Sequence, residues 1–420
     1  MRYIYSLVLY LIMPLLPLYL KKRGRKNIEY NYNWHERFGV NLKNIIDKPI
    51  IWIHAVSVGE VRAAARLIGL IEEKYPQYQI LVTQMTPTGR ATAKSLYPNV
   101  ILHYIPYDLP HAVINFYKTF KPKIGLIMET EIWPNLIHYS AKYRTRLFLV
   151  NARLSTKSFR GYNRVRFLLK PILNKFTAIL SQDQATYENF VKLGFTGSGA
   201  IVGSTKFDLN VDNEHFIVAK ELKETIGDKK VVIFASTRDG EEKLIINHIK
   251  NQSYLIIIVP RHPERFKLVE KLLLEHKIKY IKRSENKPLS LDTQVFLGDS
   301  MGEMFMYYAM SDLAVMGGSL NDFGGQNLIE PIFLDKPVIL GPSTFNFAKI
   351  AKDAVHDKCA IQVENISECF DIIDRLLDSG KLEPQENNEE YKQMVDNCKS
   401  FSKQFQGASR RIVDFISKYI

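Results

Sequence analysis

From about residue 48 onward the chain alternates short apolar runs with longer stretches in which apolar residues recur at helical spacing. Runs at residues 50–56, 79–86, 100–105, 123–128, 146–150, 178–181 and 200–203 form one series. A second series occupies residues 231–235, 254–259, 278–281, 294–297, 313–316 and 337–340. Many of these runs are apolar nearly throughout, the pattern of parallel strands covered on both faces. With helical segments between them they predict βα units and two doubly wound sheets, an α/β architecture. The series separate at a polar stretch, residues 207–216 (FDLNVDNEHF), which predicts domains over 27–210 and 211–420. The stretch from about residue 391 to 420 reads as helix and could pack back across the domains. In open α/β sheets ligands bind outside the carboxyl ends of the strands, so two such domains facing each other would enclose one cleft. The residues directly after each apolar run are therefore the ones to inspect.

The first 26 residues follow a different pattern. Residues 3–20 (YIYSLVLYLIMPLLPLYL) carry no charge and are followed at once by KKRGRK. A cleaved signal peptide would place its basic residues before the apolar run. The reversed order predicts a membrane anchor over residues 1–26 with its basic flank on the cytoplasmic face. Eighteen residues is the short end of a span, and Pro14 and Pro17 would kink or break a helix. A helix lying in the interface, held by lysine and arginine against anionic headgroups, and a buried first helix of the domain are the other two readings.

Charge and cysteine content narrow the setting. The formal net charge is +13; six of that excess lie in residues 1–26 (Arg2, Lys21, Lys22, Arg23, Arg25, Lys26), which leaves seven for the body. Such a balance suits an anionic lipid, a phosphorylated substrate or nucleic acid. Basic residues are not interleaved with aromatics along a surface stripe, so nucleic acid is not expected as a partner. Three cysteines without C-x-x-C spacing (Cys359, Cys369, Cys398) argue against a disulfide framework or a zinc site and fit a reducing compartment.

The strand ends hold the candidate chemistry. After 313–316 comes GGSLNDFGGQNLIE, where two glycine pairs allow close approach of a ligand to the backbone. Gln326, Asn327 and Glu330 are expected to open the next helix, whose free N–H groups suit a phosphate, with Glu330 placed for ribose hydroxyls. A nucleotide-sugar pocket and a ligand-free glycine-rich connection are both open. Ser57, Val58 and Gly59 form the turn after the first run, and Glu60 opens its helix as a helix-terminal charge or as a general base. Glu129 and Glu131 follow another run, where they could hold a substrate hydroxyl or buttress another group more readily than a metal. Lys206, in GSTKFD, is a phosphate-neutralising cation or a solvated one. Pro260 and Pro263 stiffen the exit VPRHPER, which holds Arg261 and His262 in place. In GDSMGE the amides of Met301, Gly302 and Glu303 could bind a base or phosphate. There is no Walker A, G-x-G-x-x-G after the first strand, H-E-x-x-H or G-x-S-x-G, which argues against a P-loop ATPase, a dehydrogenase, a zinc protease or an α/β-hydrolase.

Taken together, HERFG (35–39), SVGE (57–60), TQMTPTGR (83–90), PYDLP (106–110), METEIWPN (128–135), NARLS (151–155), GSTKFD (203–208), PRHPERF (260–266), GDSMGE (298–303), GGS with NLIEP (317–331) and GPSTFNF (341–347) resemble the Kdo transferases in unbroken order. These enzymes attach 3-deoxy-D-manno-octulosonic acid (Kdo) from CMP-Kdo to the lipid A precursor, lipid IVA, in lipopolysaccharide biosynthesis. The resemblance implies a GT-B fold of two Rossmann-like domains, acceptor on the first and CMP-Kdo on the second. It implies inverting transfer at the cytoplasmic face of the inner membrane, with no metal and no other cofactor. The base falls on Glu60, and the groups that steady the transition state on Glu129 and Lys206. CMP contacts fall on Pro260, Arg261, Met301, Gly302, Glu303, Asn327, Leu328, Ile329 and Glu330. One departure lies in the loop LNDFGGQN, with Asn321 and Asp322. A GT-B enzyme using a UDP- or GDP-sugar, or a membrane-associated nucleotide-binding protein without catalysis, are the alternatives.

Overall fold

The computed structural model describes residues 2–43, 48–208, 213–250, 252–377 and 389–420. Part of the polar break predicted at 207–216 lies outside these residues. The chain divides into two units, Met1–Asp208 with Phe405–Ile420, and Leu209–Gln404. Each is built on one seven-stranded sheet whose paired strands all run parallel.

In the first unit the strands are β1 (Ile50–His54), β2 (Gln79–Gln84), β3 (Ile101–Tyr104), β4 (Ile124–Met128), β5 (Arg146–Ala152), β6 (Ala178–Ser181) and β7 (Ser198–Ile201). Their order is β3-β2-β1-β4-β5-β6-β7. The second unit contains β8 (Val231–Thr237), β9 (Leu255–Pro260), β10 (Tyr280–Lys282), β11 (Val295–Leu297), β12 (Leu313–Met316), β13 (Val338–Leu340) and β14 (Ala360–Gln362), ordered β10-β11-β9-β8-β12-β13-β14. Central strands β1, β4 and β8 are buried along their whole length, which is why they read as unbroken apolar runs. The run read at 200–203 forms its strand two residues earlier. β14 is an edge strand of three residues that ends exposed, too short to stand out as an apolar run. The order in which strands are added reverses between β1 and β4 in one sheet and between β8 and β12 in the other, and these reversals are the places where such sheets bind ligands.

The last helix belongs to the first unit. Gly407, at φ +84°, makes the turn into the helix Ala408–Ser417, a conformation other residues adopt only at a cost. Its amide donates to Asp208 Oδ1 at 2.6 Å, and Arg411 Nε donates to the Val202 carbonyl at 2.9 Å. Ile412, Val413 and Ile416 then join the apolar cluster beneath β1 and β4.

Residues 2–24 are helical throughout, as Arg2–Ile12, a 3-10 turn Met13–Leu15 and Leu16–Gly24. Pro14 and Pro17 each sit at the second position of a helical segment, in the first turn where no amide donor is needed, so they do not break the run. Among the described residues this is the one helix long and apolar enough to cross a membrane. Its polar side faces the protein: Arg2 Nη1 donates to Asn135 Oδ1 at 3.0 Å, Asn135 Nδ2 to Ser6 Oγ at 3.0 Å, and the Tyr10 hydroxyl meets His111 Nδ1 at 2.9 Å. Ile4, Leu7, Leu11 and Leu18 point outward, 60% to 71% exposed. The reading of a buried first helix is therefore wrong: the helix docks with the sidedness of a soluble amphipathic helix turned inside out.

Candidate active site

In the first unit the reversal between β1 and β4 gathers three carboxylates and a lysine. Ser57 caps the helix Val58–Ala63, its hydroxyl accepting from the Glu60 amide at 3.4 Å. The Glu60 carboxylate reaches back, taking the Val56 amide on Oε2 and the Ser57 hydroxyl on Oε1, both at 2.9 Å. This is a capping box shifted by one residue, the carboxylate taking the amide before the cap instead of the cap's own, and it holds the carboxylate at the mouth of β1. Burial raises the Glu60 pKa; the two hydrogen bonds oppose the shift, and the charges of Glu129 and Glu131 add to it.

Glu129 follows β4 in the left-handed region, φ +57°, where a non-glycine residue persists only if its surroundings hold it. Its amide donates to the Val150 carbonyl at 3.0 Å, and its Oε1 pairs with Lys206 Nζ at 2.8 Å. Lys206 sits in the 3-10 turn Thr205–Phe207, where Asn151 Oδ1 at the end of β5 accepts from the Thr205 amide at 3.1 Å. Glu131 turns elsewhere and accepts from Trp133 Nε1 at 2.7 Å; burial raises its pKa, and Glu129 adds to the shift. The two carboxylates thus serve different partners.

In the second unit, β9 ends on buried Pro260, and the Arg261 amide donates to the Thr237 carbonyl at 3.0 Å while its side chain stays exposed. After β11, Met301 is 64% exposed and Gly302 has φ +87°. The Glu303 carboxylate is held by Arg283 at 2.8 Å, which leaves the backbone of this turn as its donor surface. The glycine-rich loop packs closely on β8: a Cβ added at Gly317 would lie 2.4 Å from the Ser236 carbonyl oxygen. The helix expected to open at Gln326 and Asn327 starts later, at Ile329, and ends at Phe333. Five residues supply little macrodipole, so the polar ends matter instead. Asn327 Oδ1 accepts from the Ile329 amide at 3.2 Å, and Asn327 Nδ2 donates to Glu330 Oε1 at 3.1 Å. Leu328 is buried and offers only backbone. The charges of Glu330 and Arg261 both act on buried Tyr308.

Residues 238–242 (RDGEE) follow β8 as SVGE follows β1, and no motif singles them out in the sequence. Buried Glu241 accepts from the amides of Arg238 (2.8 Å), Gly318 (2.7 Å), Leu320 (3.1 Å) and Asn321 (3.3 Å). Glu242, also buried, takes Arg265 in a bidentate pair at 3.0 and 2.9 Å. The signal available was positional: a second strand-to-helix turn rich in charge.

Compared with known proteins, the chain matches a family model described as 3-deoxy-D-manno-octulosonic-acid transferase (kdotransferase) over residues 32–209. A 3-deoxy-D-manno-octulosonic acid transferase of Haemophilus influenzae is 33% identical, over 100% of this chain and 99% of that protein. The chain belongs to the Kdo transferase family. Among solved structures, a glycosyltransferase from Rickettsia africae aligns with a TM-score of 0.53 at 12% identity, covering 89% of this chain and 99% of that one. A UDP-GlcNAc 2-epimerase from Neisseria meningitidis aligns at 0.55 and 15% identity, covering 88% and 100%. These two share the GT-B fold with this Kdo transferase family member, and the fold alone does not separate transferase from epimerase. The sequence relationship does: the chain is a glycosyltransferase of the Kdo transferase family.

Proposed function

We propose that this chain moves Kdo from CMP-Kdo to lipid IVA in one inverting displacement, with Glu60 as the base. The observation that carries the reading is the Glu60 carboxylate, held at the β1–β4 reversal with its pKa raised by burial. A base whose pKa is lifted toward the working pH is a better proton acceptor while still ionised. A hydroxyl of lipid IVA gives its proton to Glu60 as its oxygen bonds to the anomeric carbon of Kdo. The bond from that carbon to the CMP phosphate breaks, and CMP leaves with the electron pair. Arg261 meets the departing phosphate, and Lys206, paired with Glu129, supplies positive charge beside the reacting groups. Pro260, the turn Met301–Glu303 and the segment 327–330 hold the nucleotide.

The acceptor is a lipid, and two features of the first unit suit it. The docked helix 2–24 offers its apolar side outward and ends in KKRGRK, which favours a helix lying in the interface over one that spans it. Residues 153–175 carry Arg153, Lys157, Arg160, Arg164, Arg166, Lys170 and Lys175 with no acid, beside exposed Phe167. Such a face attracts anionic headgroups and the phosphates of lipid IVA.

The test is incubation of the purified protein with CMP-Kdo and lipid IVA, followed by mass measurement of the lipid. Gain of one or more Kdo residues is expected; transfer from a UDP- or GDP-sugar instead would overturn the donor assignment. Transfer should also persist in EDTA, because a monophosphate leaves and Glu129 and Glu131 are engaged with Lys206 and Trp133. Loss of activity restored by Mg²⁺ would recast those two carboxylates as metal ligands.

A further inference from the structure

We infer that Arg238 binds the carboxylate of the transferred acid sugar, so that two arginines on neighbouring strands read the donor as a dianion. The inference rests on the proposed donor, CMP-Kdo. β8 and β9 pair with Thr237 opposite Pro260, which makes Arg238 and Arg261 the first residues past the two strand ends. β8 is also a strand of the reversal, so Arg238 stands where a ligand of this sheet is expected.

The Arg238 side chain is half-buried and held in place. Its Nη1 lies 2.6 Å from His262 Nε2, and its Cζ lies 4.9 Å from the centre of the Phe323 ring. A guanidinium has no acceptor, so in this contact Arg238 donates and Nε2 of His262 accepts. Among the described residues neither Arg238 nor Arg261 takes part in an ion pair. Arg265, in the same segment as Arg261, is the contrast: it is saturated by Glu242 and Asp239. A half-buried arginine with no carboxylate paired to its guanidinium, steadied by a histidine and a ring face, is a cation left available to a ligand.

Buried Glu241 fixes the approach. Its Oε2 takes the Arg238 amide and the Gly318 amide together, which ties the arginine to the glycine-rich loop. A Cβ added at Gly318 would lie 3.3 Å from Arg238 Cγ, so loop and arginine stem are in contact. CMP-Kdo carries two separated anions, the phosphodiester and the carboxylate of the octulosonic acid. A UDP-hexose carries its charge on the diphosphate alone. With Arg261 on the phosphate, Arg238 is the remaining fork for a planar carboxylate, and it would select acid sugars over neutral ones.

The experiment compares KM for CMP-Kdo with Ki for CMP, using detergent-dispersed lipid IVA. Arg238→Ala should raise KM about tenfold or more while Ki for CMP stays within about threefold, because CMP lacks the carboxylate. Retained CMP binding also reports that the variant is folded. Arg238→Lys should recover part of the loss, and Arg261→Ala should weaken both constants. Equal weakening of CMP and CMP-Kdo by Arg238→Ala would make it a phosphate contact and overturn the inference, as would no change in either constant. A wild-type protein that neither binds nor turns over CMP-Kdo would overturn the donor reading and this inference with it. Normal wild-type turnover with an unchanged ratio in the variant would overturn this inference alone.

Discussion

At Glu60 burial competes with hydrogen bonding, and burial wins, which sets how the proposed base responds to substitution and to pH. Glu60→Gln keeps the shape and the Ser57 contact but cannot accept a proton. Transfer should fall by about two to four orders of magnitude with CMP binding unchanged, and near-normal turnover would remove Glu60 from the mechanism. The sign of the pH dependence follows from the raised pKa. The base works only when ionised, so activity should fail on acidification at a pH above the ordinary carboxylate range. Glu131→Gln removes one of the charges that raise Glu60, so the acid limb of the kcat/KM profile should move to lower pH. A limb that stays in place or moves upward would show that another group controls it. In the sequence, SVGE marked Glu60 by the spacing of a cap, a local relation. The pairing of Glu129 with Lys206 joins positions 77 residues apart, and the residues alone could not assign either side chain a partner.

Among the elements, the strands were the readable part, because burial on both faces leaves an unbroken apolar run. What escaped is equally physical. β14 is a short sheet edge, and the helix after the glycine-rich loop begins late because Asn327 bonds forward to the Ile329 amide. Glu241 escaped because a charged residue after a strand reads as solvated, whereas here it replaces water for four amides. Glu241→Ala would leave those donors unsatisfied, that of Gly318 in a buried setting. The second unit should lose about 3 kcal/mol or more of stability, measured as an earlier denaturant transition of that unit. The loop that leads to Asn327 and to the helix bearing Glu330 should loosen with it, so CMP affinity should drop in parallel. Unchanged stability would mean that the loop holds its shape through Ser319, which bonds the Met316 carbonyl and the Gly341 amide, without help from Glu241.

For the whole molecule the question is how a body built on two parallel sheets would reach the proposed acceptor, a lipid held in a bilayer. Among the described residues, the apolar clusters packed on the first sheet contain none from the helix 2–24. That helix adds mainly a polar seam, Arg2 and Ser6 on Asn135 and Tyr10 on His111, with Leu20 as its one buried large apolar side chain. Asn135 keeps two bonds to Asp108 without it, through its amide at 2.9 Å and its side chain at 2.6 Å. Removal of residues 1–26 should therefore leave the α/β body folded while withdrawing both the outward apolar side and the KKRGRK flank. Sedimentation with anionic liposomes should show weaker attachment, with the basic face 153–175 left to supply a salt-sensitive remainder. Turnover of detergent-dispersed lipid IVA should survive, because Glu60, Glu129, Lys206 and the proposed donor contacts all lie beyond the deletion. Turnover of lipid IVA embedded in vesicles should fall further, because the truncated protein spends less time at the surface where its acceptor is held. A truncated protein that cannot fold would make the helix part of the core despite its exposed leucines. Equal losses in detergent and in vesicles would place its role in the reaction instead of at the membrane.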